Sequence, residues 1–210
     1  MTKSSDRLLI GNVLKSIRIK KDIPIKQIAK KMNVSESMIS QLETGKNNFS
    51  KDKIIVYTNI CGCSFNFNIN RRDIIEKLID VYKIYSELKI EKFNNAISNL
   101  KKIPDIAFSS ARFEYYLILY MDNIVNKNIS NVEFIEKMIE IGINSFTNNE
   151  LAIYYDMQGL KYIYSKNSIK AVKFLEKSIS FFNSKENILY GFSSTTEYNS
   201  SVSFSYSPKG

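Results

Sequence analysis

The chain contains no histidine, and its 210 residues include only two cysteines, three prolines and seven glycines. Without histidine the usual acid–base dyads of catalysis are unavailable. Cys61 and Cys63 are the only cysteines, and a zinc site would need two further strong ligands. No glycine-rich phosphate loop is present and the carboxylates are scattered, so the residues point to no enzyme, metal or other cofactor. No apolar run is long enough for a transmembrane helix. The N-terminus, MTKSSDRLLIGNVLKSIRIKK, lacks the continuous hydrophobic stretch and cleavage site of a signal peptide. The expectation is a cytoplasmic protein that is not an enzyme and does not enter the membrane. Cys61 and Cys63 fall where a helix end should enter the core, where a free cysteine behaves as a small hydrophobe; a redox pair is the alternative.

What the chain does have is an uneven charge. Residues 1–66 carry 12 Lys and Arg against 5 Asp and Glu, a net of +7, while residues 67–210 carry 18 against 16, a net of +2. A compositional bias toward Lys, Asn and Ile would enrich lysine along the whole length, so the asymmetry favours an anion-binding surface in the first third. In that third, Leu8, Leu9, Val13, Leu14 and Ile17 make a helical stripe, followed by a basic run from Arg18 to Lys21. Pro24 suits the first turn of a second helix, whose buried face is Ile25, Ile28, Ala29 and Met32. Ser35 suits the N-cap of a third helix, from Glu36 to about Thr44, closed by Gly45. Ser50 caps a fourth helix through Cys61, stopped at Gly62, and Ser64 opens a short fifth.

Two short helices meeting at Asn33-Val34 have the spacing of a helix-turn-helix. On the third helix Ile39 and Leu42 point inward, which leaves Ser37, Ser40 and Gln41 on the opposite side with Glu36 at the start. Gln can pair with adenine, Ser with any base edge, and Glu can accept from cytosine N4. Taken alone this could be an ordinary solvated face; the flanking Lys26, Lys30, Lys31 and Lys46 favour DNA.

Residues 10–65 resemble the phage-repressor-type helix-turn-helix of the xenobiotic-response-element (XRE) family. The resemblance runs through Gly11, Leu14, Ile17-Arg18, Ile28-Ala29, Val34-Ser35, Ile39-Ser40, Leu42-Glu43, Gly45-Lys46 and Cys61-Gly62-Cys63-Ser64. It implies a structural ion pair between Arg18 and Glu43 and base contacts from Glu36, Ser37 and Gln41. The DNA-facing set becomes Lys26, Lys30, Ser35, Glu36, Ser37, Ser40, Gln41, Lys46 and Asn47. Where the family often opens its second helix with Ser-Gln, this chain has Pro24-Ile25, so that contact is lost or passes to Lys26.

From Arg71 onward the pattern is helical: Ile74, Ile75, Leu78, Val81, Tyr82 and Tyr85 line one helix, with a partner over 91–103. Segments 109–126 and 130–146 follow. In the last pair Tyr155, Gly159, Tyr162, Ala171, Leu175 and Ser178 occupy positions 4, 8, 11, 20, 24 and 27 of a 34-residue tetratricopeptide unit. The Ser-rich segment 187–210 reads as a disordered tail, with an edge strand as the alternative. The predicted fold is therefore all-α: a five-helix repressor-type domain over 1–68, tetratricopeptide-like hairpins over 69–186, then the tail.

That order is similar to the Rgg/PlcR-like (RRNPP) regulators, which implies a homodimer binding a double-stranded DNA operator and a short signalling peptide on the concave side of its repeats. By that resemblance Lys89 would contact the peptide, with Tyr155 and Asn148 or Asn149 extending the same surface; the aromatic helices Phe113–Tyr120 and Leu151–Tyr164 are the candidates for the dimer contact. Two other readings stay open. One is a ligand-independent repressor or antitoxin-like regulator; the other is a helical-repeat scaffold without a regulatory role.

Overall fold

The computed structural model describes residues 4–183, all of whose regular elements are helical. The expected tail lies outside the described residues. In the first part α1 (Ser4–Lys20), α2 (Ile25–Met32), α3 (Glu36–Glu43) and α4 (Lys51–Ile60) surround a core of Leu14, Ile17, Ile28, Ile39, Leu42 and Tyr57. Local chemistry sets the boundaries. Pro24 stands one residue before α2, at its N-cap, and Asn33 ends that helix in the left-handed conformation, φ 52°. The Ser35 hydroxyl accepts from the Met38 N–H at 3.1 Å and the Ser50 hydroxyl from the Lys53 N–H at 3.3 Å, which satisfies donors at the starts of α3 and α4.

The short fifth helix expected from Ser64 does not form. Residues 63–70 run without a helix, and the next one begins at Arg71. The Asn66 N–H donates to the Phe108 carbonyl at 2.8 Å, making an isolated bridge with Ser109, and the Asn66 side chain accepts from the Asn68 N–H at 2.9 Å. Both bonds draw the backbone into a turn that a helix could not satisfy.

The rest of the described chain is three helical hairpins: α5 (Arg71–Ser86) with α6 (Ile90–Lys101), α7 (Arg112–Val125) with α8 (Val132–Gly142), and α9 (Asn148–Tyr164) with α10 (Ser168–Phe182). α9 and α10 pack closely along their length. A Cβ on Gly159 would lie 2.5 Å from Leu175 Cδ2, and the Ser178 hydroxyl donates to the Ala152 carbonyl at 2.8 Å. Thr147 and Glu150 form a reciprocal capping box at the start of α9. Glu150 and the fully buried Glu114 both face Arg71, whose Nε lies 2.5 Å from Glu114 Oε1. Burial and the neighbouring Glu150 carboxylate hold Glu114 well above the ordinary carboxyl range.

The two parts share one continuous core, and α1 is their common wall. Arg112 on α7 is fully buried, and among the described residues it meets no carboxylate. Its guanidinium donates to the Ser16 hydroxyl of α1 at 2.5 Å, to the Tyr116 hydroxyl at 3.0 Å, and to the Ala107 carbonyl. Desolvation pushes its pKa down, and among the described residues it is held by neutral oxygens and the Tyr116 ring. The helices expected to hold a dimer also supply much of the chain's own core. Phe113, Leu117 and Tyr120 are fully buried, as are Ala152 and Met157, while Ile163 and Tyr164 at the end of α9 are exposed.

Candidate nucleic-acid interface

The outer face of α3 carries Glu36, Ser37, Ser40 and Gln41, all exposed, with Ser35 exposed at its N-cap. Lys26 and Lys30 on α2, and Lys46 beyond Gly45, are exposed around it. Asn47 follows and is half-buried because it works locally. Its Nδ2 donates to Gln41 Oε1 at 2.7 Å and its N–H to the Gln41 carbonyl at 3.1 Å. Gln41 Nε2 lies 3.4 Å from the Ser37 hydroxyl. The amide that could read a base is thus held between its own helix and the following loop, with little side-chain freedom left to lose on binding.

The other side of α3 is fixed to the core by charge. Arg18 Nε and Nη2 donate to the two Glu43 oxygens at 2.7 and 2.8 Å, and Nη1 donates to the Ile23 carbonyl at 2.9 Å. Tyr57 on α4, fully buried, donates its hydroxyl to Glu43 Oε1 at 2.5 Å. The Glu43 carboxylate raises the Arg18 pKa, chiefly through the hydrogen bond between them. Burial first, then Glu43, raises that of Tyr57. One carboxylate therefore ties α1, α3 and α4 together directly behind the exposed face. Two glycines allow the close approach. A Cβ on Gly11 would lie 2.5 Å from the Leu42 carbonyl oxygen, and Gly45, at φ 70°, would place one 2.7 Å from Leu8 Cα. Sequence reasoning missed Tyr57, which falls in register with Ile54 and Cys61 and so reads as ordinary core.

Burial pushes the Cys61 thiol up to about 11, and the Cys63 thiol is raised as well. Both are protonated at neutral pH, which argues against a reactive pair. Among the described residues no group of His, Cys, Asp and Glu could hold a metal ion.

The residues expected to contact a peptide do not form one open surface. Lys89 sits exposed before α6 with its ammonium on Glu87. Asn148 begins α9 half-buried, and Asn149 is 5% exposed. Tyr155 is 9% exposed, stacked between Phe174 and Phe181. Its place in the α9–α10 contact takes it out of any groove. The described residues include a cleft of about 380 Å³ beside Lys51, Phe65 and Asp105 and another of about 440 Å³ beside Asp6, Arg71 and Ser110. Neither is lined by those four residues.

Among the described residues no helix is long and apolar enough to cross a membrane. Residues 14–68 match the helix-turn-helix family HTH_3, a match that takes in the last two turns of α1, all of α2 to α4 and the segment after Gly62. This domain supports a DNA-binding transcription regulator. No curated protein and no solved structure matches the chain.

Proposed function

We propose that the chain is a sequence-specific transcriptional regulator that acts in the cytoplasm as a homodimer and reads an operator with α3. The observation that carries this reading is the Gln41 amide. It is exposed on a face of small polar residues, fixed by Asn47 and Ser37, and flanked by Lys26, Lys30 and Lys46. The lysines supply phosphate attraction independent of sequence, and Gln41 with Ser37, Ser40 and Glu36 supplies base readout. Doubling follows from the size of the head: a single helix-turn-helix covers few base pairs, and two α3 helices about 34 Å apart would select a palindrome. Selection of bound sequences from a random duplex pool, followed by footprinting, tests this. The expected result is one symmetric site with half-sites a helical turn apart; a uniform footprint without sequence preference would refute it.

We read the hairpins as tetratricopeptide-like, supported by the seating of Gly159 on Leu175 and of Ser178 on Ala152. A short signalling peptide is the effector that the family resemblance implies. The burial of Asn149 and Tyr155 favours a second reading, a ligand-independent repressor or antitoxin-like regulator whose helical body serves pairing or partner binding. Calorimetry against peptides encoded beside the gene distinguishes the two. Heat of binding coupled to altered operator affinity supports the sensor, and its absence supports the second reading.

A further inference from the structure

The inward side of α10 is fully engaged: Ala171 and Ser178 are buried, and Phe174 and Phe181 stack with Tyr155. Its outward side carries two adjoining rows, by the advance of about 100° per residue. Ile169, Val172 and Ile179 make an apolar row, 86%, 54% and 47% exposed, with Glu176 set within it. Lys170, Lys173 and Lys177 make a basic row beside it, and among the described residues none of the three meets a carboxylate. Two of these cations are held in place. Lys170 Nζ lies 5.2 Å from the centre of the Tyr162 ring, and Lys177 Nζ lies 3.9 Å from that of Tyr155 while donating to its hydroxyl at 2.8 Å.

We propose that this face of α10 docks an amphipathic helix of another protein that carries an acidic row beside an apolar one. Charge complementarity decides the partner's sign. Preorganised ammonium groups that meet no carboxylate among the described residues favour carboxylates and disfavour basic segments. The aromatic rings beneath do not suit a nucleic acid. Tyr162, Phe174, Tyr155 and Phe181 lie nearly parallel, at 4°, 16° and 13° between successive rings, so their faces are taken up by one another and by the Lys170 and Lys177 ammonium groups. They therefore offer no platform on which bases could stack. A lipid surface fits poorly as well, because seating the apolar row in a bilayer would bury the Glu176 carboxylate within it. In a protein partner one cation opposite Glu176 resolves that charge. The apolar row runs over the eleven residues from Ile169 to Ile179, a rise of about 15 Å, so the contact is small and belongs with transient, regulated associations. It stands apart from the α3 face and does not depend on the DNA reading.

The probe is a fluorescein-labelled helical peptide of about 18 residues with leucines on one face and glutamates beside them, titrated into the full chain by anisotropy. A second peptide carries lysine in place of every glutamate. Saturable binding of the acidic peptide alone is expected. It should weaken about tenfold in the triple variant K170E/K173E/K177E and in Ile169→Asp. The same variants should keep the wild-type circular dichroism and affinity for duplex DNA; if the triple variant unfolds, Lys173→Gln gives a smaller loss in the same direction. Four results would each overturn the proposal. They are unchanged affinity in the α10 variants, displacement of the peptide by random duplex DNA, α10-dependent binding to phosphatidylserine vesicles without peptide binding, and self-association that these variants abolish.

Discussion

Replacing Glu43 by Gln removes the charge on which three helices converge. In the native protein its two oxygens accept from Arg18 at 2.7 and 2.8 Å and from Tyr57 at 2.5 Å. Arg18 is 9% exposed and Tyr57 fully buried, so neither donor can turn to water without opening the core. Breaking a buried ion pair from one side costs about 3–5 kcal/mol, and an unsatisfied buried hydroxyl costs about 1–3 kcal/mol. The amide keeps one acceptor oxygen, and Arg18 keeps its bond to the Ile23 carbonyl, so the lower part of that range, about 3–4 kcal/mol, is expected. Against a typical domain stability of about 5–15 kcal/mol this is a large fraction. Urea unfolding followed by circular dichroism measures it directly. Tyr57→Phe, which leaves the ion pair intact, should lose only about 1 kcal/mol. The double change Arg18→Met with Glu43→Leu should cost clearly less than the sum of its singles, since no charge is stranded. A Glu43→Gln protein within about 0.5 kcal/mol of wild type, an ordinary surface effect, would refute the reasoning.

Three further outcomes follow from the same geometry. Burial lifts the Asp156 carboxyl from 3.8 to about 6, so between those values the folded protein holds the proton more tightly than the unfolded chain. Stability should therefore fall as pH rises through that window, and Asp156→Asn should stabilise by about 2–3 kcal/mol at pH 8 and give little advantage at pH 4, read from melting curves against pH. Gly11→Ala places a methyl 2.5 Å from the Leu42 carbonyl, which should cost about 1–3 kcal/mol in unfolding measurements and weaken operator binding by displacing α3 from α1. Lys30→Ala or Lys46→Ala should weaken operator and random DNA alike and lower the slope of log affinity against log salt by about 1, measured by anisotropy across a salt series.

Much of the first part was legible because its signals are local. Ser35, Gly45 and Ser50 mark helix ends through hydrogen bonds to near neighbours or through φ, and the spacing of Ile39 and Leu42 defines which side of α3 is wet. The Arg18–Glu43 pairing joins residues 25 apart and came from resemblance; nothing in the spacing alone selects it. Ser64 looked like a cap, but the backbone beyond it is claimed by Phe108, a contact no local rule contains. Aromatic helices mark cores and interfaces equally well, and Phe113–Tyr120 turned inward. Arg112 was illegible for a different reason. A charged residue in sequence reads as surface, and its burial rests on Ser16, Ala107 and Tyr116 converging on it from α1 and α7 and from the turn before α7.

The central claim, that α3 reads base edges through Gln41, is tested most directly by measuring Gln41→Ala on the selected operator and on random duplex DNA at one salt concentration. The expected result is a loss of about 1–3 kcal/mol on the operator, roughly 5- to 150-fold, with random DNA affinity unchanged. Equal losses on both sequences, or none on the operator, would contradict it.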